Sequence, residues 1–192
     1  MAATLLFIRH AETALAGTFC GRTDPPLNAT GEAQLSALIE RIAAIPCTAI
    51  YTSDLERARQ TAASLAAARG VPVLPSPALR EIDFGDWETL SWEQIEQRDP
   101  VYAARWVAEF PNLPAPGGEP ISLFKHRVLS EITRLRQQNQ DLAIVTHARV
   151  LRVMLEELGH FAPHHAWERT RDYAGTIRCT QQSPTGHFEV HP

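Results

Sequence analysis

The chain predicts an α/β protein, a three-layer αβα sandwich built on a mostly parallel sheet that ends in a terminal hairpin. Three observations predict it. Short apolar runs stopped by charge or polarity, Thr4 to Ile8, Thr48 to Tyr51 and Leu142 to Thr146, read as strands buried on both faces. Between them lie stretches whose apolar residues recur three and four apart, the pattern of helices that cover a sheet. Near the end, Thr176 to Gln181 and Phe188 to Val190 flank Ser183-Pro184-Thr185-Gly186, a hairpin signature.

Taken in order, the first strand is followed by a polar loop, Gly17 to Thr30, with a Pro25-Pro26 pair. Leu35, Leu38, Ile39 and Ile42 then form one helical face. Ser53-Asp54-Leu55-Glu56 has the S-x-x-E form of a capping box and opens a helix to about Ala68, which Gly70 ends. Val71 to Arg80 is extended and broken by prolines. Residues 82 to 119 change character, with Trp87, Trp92, Trp106, Phe84, Tyr102 and Phe110 followed by Pro111, Pro114 and Pro116, and read as a lid-like insertion of short helices. Pro120 suits the first position of a helix whose face is Ile121, Phe124, Val128, Leu129, Ile132 and Leu135. After the third strand, Leu151, Met154, Leu155 and Leu158 form another helical face, closed by Gly159.

Composition narrows the function. The 192 residues suffice for one compact domain, and nothing in the middle reads as a linker. No apolar run approaches the roughly 18 residues that span a membrane. The apolar start lacks a basic n-region and reads as a strand, not a signal peptide. Cys20, Cys47 and Cys179 are odd in number and lack CxxC spacing, which speaks against a disulfide framework or zinc ribbon and for a reducing cytoplasm. With 18 basic and 22 acidic residues, a formal net charge of −4, and no basic cluster, nucleic acid and anionic membrane are poor partners. An anion handled by this chain needs a local positive pocket.

Three places could supply one. Arg9-His10 ends the first strand, and open α/β sheets bind ligands beyond the carboxyl ends of their strands. A histidine there can be nucleophile, acid/base, metal ligand or merely a cap. Arg57 falls in the first turn of its helix, where it opposes the helix dipole unless an anion joins it; Arg59 beside it reads as solvated. His147 again follows a strand end. His164-His165 is read as surface, because adjacent residues point apart and no HExxH-type pattern accompanies them. The tryptophan-rich insertion, with only Arg98 and Arg105 as basic residues, reads as a core or lid and not as a nucleic-acid platform.

Together these pieces resemble the histidine phosphatase superfamily, with its phosphoglycerate-mutase-like fold. Leu6-Phe7-Ile8-Arg9-His10-Ala11-Glu12-Thr13 looks like its opening L-x-x-R-H-G-E-T. Gly21-Arg22-Thr23-Asp24-Pro25-Pro26-Leu27, then Thr30-Gly31 and Gln34, is similar to its second block, and Ser53 to Ala62 to its S-x-L-x-R-A-x-x-T-A helix start. Val145-Thr146-His147-Ala148 with Arg152 is like its second histidine segment. Leu79 to Glu88, Ser91-Trp92 and Pro116-Gly117-Gly118-Glu119 look most like the α-ribazole phosphatase branch.

The resemblance implies a single domain over residues 1–192 that hydrolyses a small phosphorylated metabolite, α-ribazole 5′-phosphate first, through a phosphohistidine. It needs no metal and no cofactor, and a homodimer is compatible with it. His10 is the implied nucleophile, Glu81 the proton donor, and Arg9, Arg57 and His147, if protonated, the charge clamp; Asp83, Asp86 and Glu88 are competing carboxylates. Arg9, Cys20, Gly21, Arg22, Arg57, His147 and Ala148 are the implied substrate contacts. Two departures stand out. Ala11 replaces a family glycine and is tolerable if its φ is negative. Ala16 replaces an asparagine that contacts phosphate, in a loop about two residues shorter than that of the mutases, which leaves Cys20 or the N–H of Gly21 to substitute. Rival readings are a broad-specificity phosphatase, a mutase-type phosphotransferase, a phosphoprotein phosphatase and, in another class, a non-catalytic phospholigand-binding module.

Overall fold

The protein is described by a computed structural model covering residues 2–183 and 188–191. Strands β1 (Ala3–Arg9), β2 (Ala49–Thr52), β3 (Val73–Pro75), β4 (Leu142–Thr146), β5 (Thr176–Gln181) and β6 (Phe188–Val190) form one mixed sheet. Their order is β3-β2-β4-β1-β5-β6; β3, β2, β4 and β1 run parallel, and β5 and β6 are antiparallel additions. The helices are α1 (Ala29–Ile42), α2 (Glu56–Arg69), α3 (Trp92–Arg98), α4 (Pro100–Glu109), α5 (Ile121–Gln137), α6 (Ala148–Glu157) and α7 (Pro163–Thr170).

The continuous apolar runs are explained by two cores, one on each face. Successive side chains of a strand alternate between faces. Leu5 and Phe7 of β1, with Leu142 and Ile144 of β4, join Phe124, Val128, Ile132, Leu151 and Met154 from α5 and α6. Leu6 and Ile8, with Ala143 and Val145, join Leu38, Ile42, Ala58, Ala62 and Leu65 from α1 and α2. Each of the Leu, Ile, Val, Phe and Met side chains, fully buried, contributes on the order of 1.5–3 kcal/mol. The α/β fold is therefore as expected, with the sheet between two helical layers.

The insertion builds a smaller core of its own. Trp87, Ile95, Ala103 and Ala115 are buried, and Phe19, Phe84, Trp92, Tyr102 and Trp106 pack on them. The rings meet mostly edge to face, Trp87 and Trp106 at 5.3 Å and Phe19 and Phe84 at 5.0 Å between centroids. These aromatics are packing residues.

Several local expectations shift. The second strand starts and ends one residue later than predicted, and Pro120 is the residue before α5, not its first. Helix α7 is new: only Ala166 and Thr170 of its eight residues are buried, too few for a readable period. His164 and His165 are exposed as expected, but their rings do not point apart; the centroids are 3.9 Å from each other. The hairpin strands pair, while Pro184-Thr185-Gly186 lies outside the described residues.

Candidate active site

The site sits where three parallel strands end together. Arg9 pairs with Thr146 in register, so His10 and His147 follow neighbouring strands in step, and the His10 amide donates to the Thr146 carbonyl at 2.9 Å. Ser53 follows β2 and donates its amide to Val145 at 3.0 Å. The two imidazoles meet with centroids 5.0 Å apart. His10 and Glu81 are each 6 % exposed, Arg57 1 % and His147 not at all.

His10 Nδ1 lies 2.7 Å from the Ala11 carbonyl. A carbonyl only accepts, so the proton is on Nδ1 and Nε2 keeps its lone pair. Burial, then the charges of Arg57 and Arg9, hold His10 well below the usual histidine range, so the ring is neutral. The Ala11 amide donates to Thr61 Oγ1 at 3.1 Å, and φ of Ala11 is not positive, so the methyl group is accommodated as expected. Behind this loop, a Cβ on Gly31 would stand 2.2 Å from the Glu12 carbonyl oxygen, which explains the glycine at the start of α1.

Arg57 is held from the opposite loop. It donates to the carbonyls of Thr23 (2.8 Å), Cys20 (3.2 Å) and Gly21 (2.8 Å) and stands 3.8 Å from Asp24. Arg9 donates to the carbonyls of Thr170 and Arg171, and its guanidinium carbon lies 3.8 Å from the centroid of Tyr173, whose ring also lies 5.6 Å from that of His10. Burial pulls Arg9 below the usual arginine range. Three buried side-chain nitrogens have no hydrogen-bond partner among the described residues: Arg9 Nε, Arg57 Nε and His147 Nδ1. Buried polar groups are nearly always paired. Three orphans on three neighbouring cationic or imidazole side chains therefore form a place that can meet hydrogen-bond acceptors.

Four expectations need correction. The capping box does not form: Leu55 is the residue before α2, and Ser53 Oγ lies 2.8 Å from His147 Nε2. The hydroxyl bridges two strand ends, and the Glu56 amide is capped instead by Asp24 Oδ1 at 2.7 Å. The Gly21 amide does not face a ligand, because it donates to both oxygens of Glu88 at 3.1 Å. The Cys20 thiol points to the Thr23 carbonyl at 3.5 Å, so Cys20 and Gly21 serve the site through their carbonyls on Arg57. Finally, of the three groups expected to supply a charge clamp, with His147 counted only if protonated, two are standing positive charges. Burial, then Arg57, holds His147 well below the usual histidine range, which leaves a neutral ring.

The carboxylates also sort themselves. Glu88 accepts the amides of Gly21, Arg22, Thr23 and Phe84. Asp83 accepts the Gly85 amide and faces Arg22, and Asp86 is exposed. Arg22 also stands 3.7 Å from Glu119. Glu81 is the buried carboxylate of this group; Oε1 accepts the Ile82 amide at 2.9 Å and Oε2 the Arg149 amide at 3.2 Å. Arg127, which the sequence did not single out, fixes this segment by donating to the carbonyls of Ala78, Arg80 and Glu81. Tyr173 was likewise missed, and no sequence signal marks it. Ala148 begins α6 beside Glu81's partner, and Ala16 is exposed in a turn.

Comparison with known proteins identifies relatives of the chain. Residues 5–190 match the histidine phosphatase superfamily (branch 1). An adenosylcobalamin/α-ribazole phosphatase from Salmonella typhimurium is 34% identical over 158 residues, 80% of this chain and 78% of that protein. Phosphoserine phosphatase 1 of Hydrogenobacter thermophilus is 31% identical over 78% of this chain and 73% of its own length. Among solved structures, the α-ribazole phosphatase of Shigella flexneri superposes with a TM-score of 0.87 at 27% identity, covering 98% of this chain and 94% of that one. The chain, with its histidine after the first strand and a second histidine beside it, belongs to the histidine phosphatase superfamily.

Proposed function

We propose that the protein is a phosphomonoester hydrolase that works through a phosphohistidine on His10, without a metal ion. The observation that carries this reading is the set of partnerless buried nitrogens on Arg9, Arg57 and His147 around an imidazole whose Nε2 lone pair is free. A phosphate monoester presents three equatorial oxygens; two guanidiniums and one N–H match that demand without a divalent cation. Ser53 Oγ accepts the Leu55 amide at 3.3 Å and can donate its own proton to His147 Nε2, which leaves the His147 proton on Nδ1 as the third donor.

In the first step Nε2 of His10 forms a bond to phosphorus as the ester P–O bond breaks, and the leaving oxygen takes a proton from Glu81. In the second, Glu81 takes a proton from water, the water oxygen attacks phosphorus, and the P–N bond breaks. Inorganic phosphate leaves and His10 is again neutral. The 82–119 insertion acts in this scheme as the cover that selects the alcohol. The names of the relatives make α-ribazole 5′-phosphate the first substrate to try, within a panel of phosphorylated metabolites.

The test is turnover of p-nitrophenyl phosphate and this panel with and without EDTA, alongside His10→Ala. We expect activity that survives EDTA, vanishes in the variant, and passes through an acid-labile, base-stable phosphoenzyme. Activity that requires a divalent ion, or label on another residue, would refute the mechanism.

A further inference from the structure

Helix α6 carries two arginines that the phosphate pocket does not use. Arg149 and Arg152 are three residues apart and so share one side of the helix. Both are tied to the site. Glu81 Oε2 accepts the Arg149 amide, and Arg152 Nε donates to Thr170 Oγ1 at 3.1 Å while Arg9 donates to the carbonyl of the same Thr170 at 3.2 Å. Their guanidiniums rest on aromatic rings, Arg149 4.9 Å from the centroid of Phe110 and Arg152 3.8 Å from that of Trp167. Those rings are 47 % and 55 % exposed, and both arginines keep part of their own surface accessible.

Neither arginine forms an ion pair among the described residues, although both are half-buried. Burial lowers both, Arg152 to about 10, and the carboxylates that offset it, Glu81 and Glu156, make no hydrogen bond to either guanidinium. Asp83 and Glu119 line a cleft with Arg149, yet they face Arg22 and Arg127. Arg149 is also the second residue of its helix, where a cation opposes the dipole. Two half-buried cations that form no ion pair among the described residues, each resting on a flat ring on one side, can meet an anion on the other.

We infer that Arg149 and Arg152 form a second anion subsite that receives a carboxylate or other anionic group on the alcohol half of the substrate. This rests on the proposed role of Glu81: if Glu81 protonates the leaving oxygen, the alcohol half lies beside the Arg149 amide. The substrate range then extends from uncharged alcohols to doubly anionic phosphomonoesters.

A matched pair tests it. 3-Phosphoglycerate and glycerol 3-phosphate share a three-carbon frame and differ in a carboxylate against a hydroxymethyl group. We expect kcat/KM to favour the carboxylate by about tenfold, the size of one charge-assisted hydrogen bond. Arg149→Gln and Arg152→Gln should each shrink that ratio toward one, mainly through KM, and Arg149→Lys should restore part of it. A parent chain that treats the two esters alike, or variants that slow both equally, would overturn the subsite while p-nitrophenyl phosphate turnover keeps the hydrolase reading intact. If the parent hydrolyses none of the three, the hydrolase reading falls, and this inference with it.

Discussion

Glu88→Gln tests whether the insertion holds the proposed phosphate pocket in shape. Glu88 Oε1 accepts the amides of Arg22 (2.9 Å), Phe84 (3.1 Å) and Gly21 (3.1 Å), and Oε2 those of Thr23 (3.0 Å) and Gly21 (3.1 Å). The carbonyls of Gly21 and Thr23 in the same loop grip Arg57. Glutamine keeps one acceptor but turns an NH2 toward the Thr23 N–H, and the remaining bonds lose their charge. The Thr23 bond lost and the others weakened, at a half-exposed carboxylate that water already screens, corresponds to about 2–4 kcal/mol. For a chain of this length that lowers Tm by roughly 5–15 °C. A displacement of Arg57 by about 1 Å would cost on the order of 10² in kcat/KM.

The pH dependence sharpens the test. Burial raises Glu88, but the amide bonds from Arg22, Thr23 and Phe84 outweigh it and hold the carboxyl below the usual carboxylate range. Its contribution is therefore complete above the unfolded value and is lost as pH falls through the lower folded one. The stability gap between parent and variant should be full at neutral pH and close in acid. Thermal denaturation and p-nitrophenyl phosphate kinetics measure both effects. A variant with Tm within about 2 °C of the parent and kcat/KM within about twofold would refute the reasoning, since it would deny the energies assigned to these bonds.

Arg57→Lys should lose about 10²–10³ in kcat, because one ammonium cannot both hold three carbonyls and present a further N–H to phosphate; steady-state kinetics showing near-parental rates would contradict the assigned geometry. His10 and His147, both depressed, take up protons in the unfolded chain before they do in the folded one, so stability should fall as pH drops below about 6.5, by up to about 1.4 kcal/mol per pH unit for each group. Urea denaturation of the parent beside His147→Asn measures this, and equal slopes for the two proteins would count against buried neutral imidazoles. Gly31→Ala places a methyl 2.2 Å from the Glu12 carbonyl and should destabilise by about 1–3 kcal/mol, visible as a lower denaturation midpoint; an unchanged midpoint would mean that α1 shifts freely.

Much of the fold was legible because it rests on local pattern. β1 and β4 are apolar throughout since each has a core on both faces, and α5 shows its buried stripe at helical spacing. Helix α7 was not legible, because a short helix with two buried residues has no period to read. Ser53 illustrates a different limit: the residues of a capping box were present, and a partner 94 positions away took the hydroxyl.

By itself the sequence determined the alternation of strands and helices, and it set His10, Arg57 and His147 at element ends, since apolar spacing and charged stops are written along the chain. Only the tertiary structure decided what those ends meet. The register of β1 on β4 brings two imidazoles together, Glu88 reaches loop 21–23 across 65 or more positions, and Tyr173 lies against Arg9. Such contacts depend on strand order and on the path of the loops, which no spacing within one segment encodes. For the same reason both histidines owe their neutral state to burial and to charges from distant segments, and the site's electrostatics exist only once the sheet is assembled.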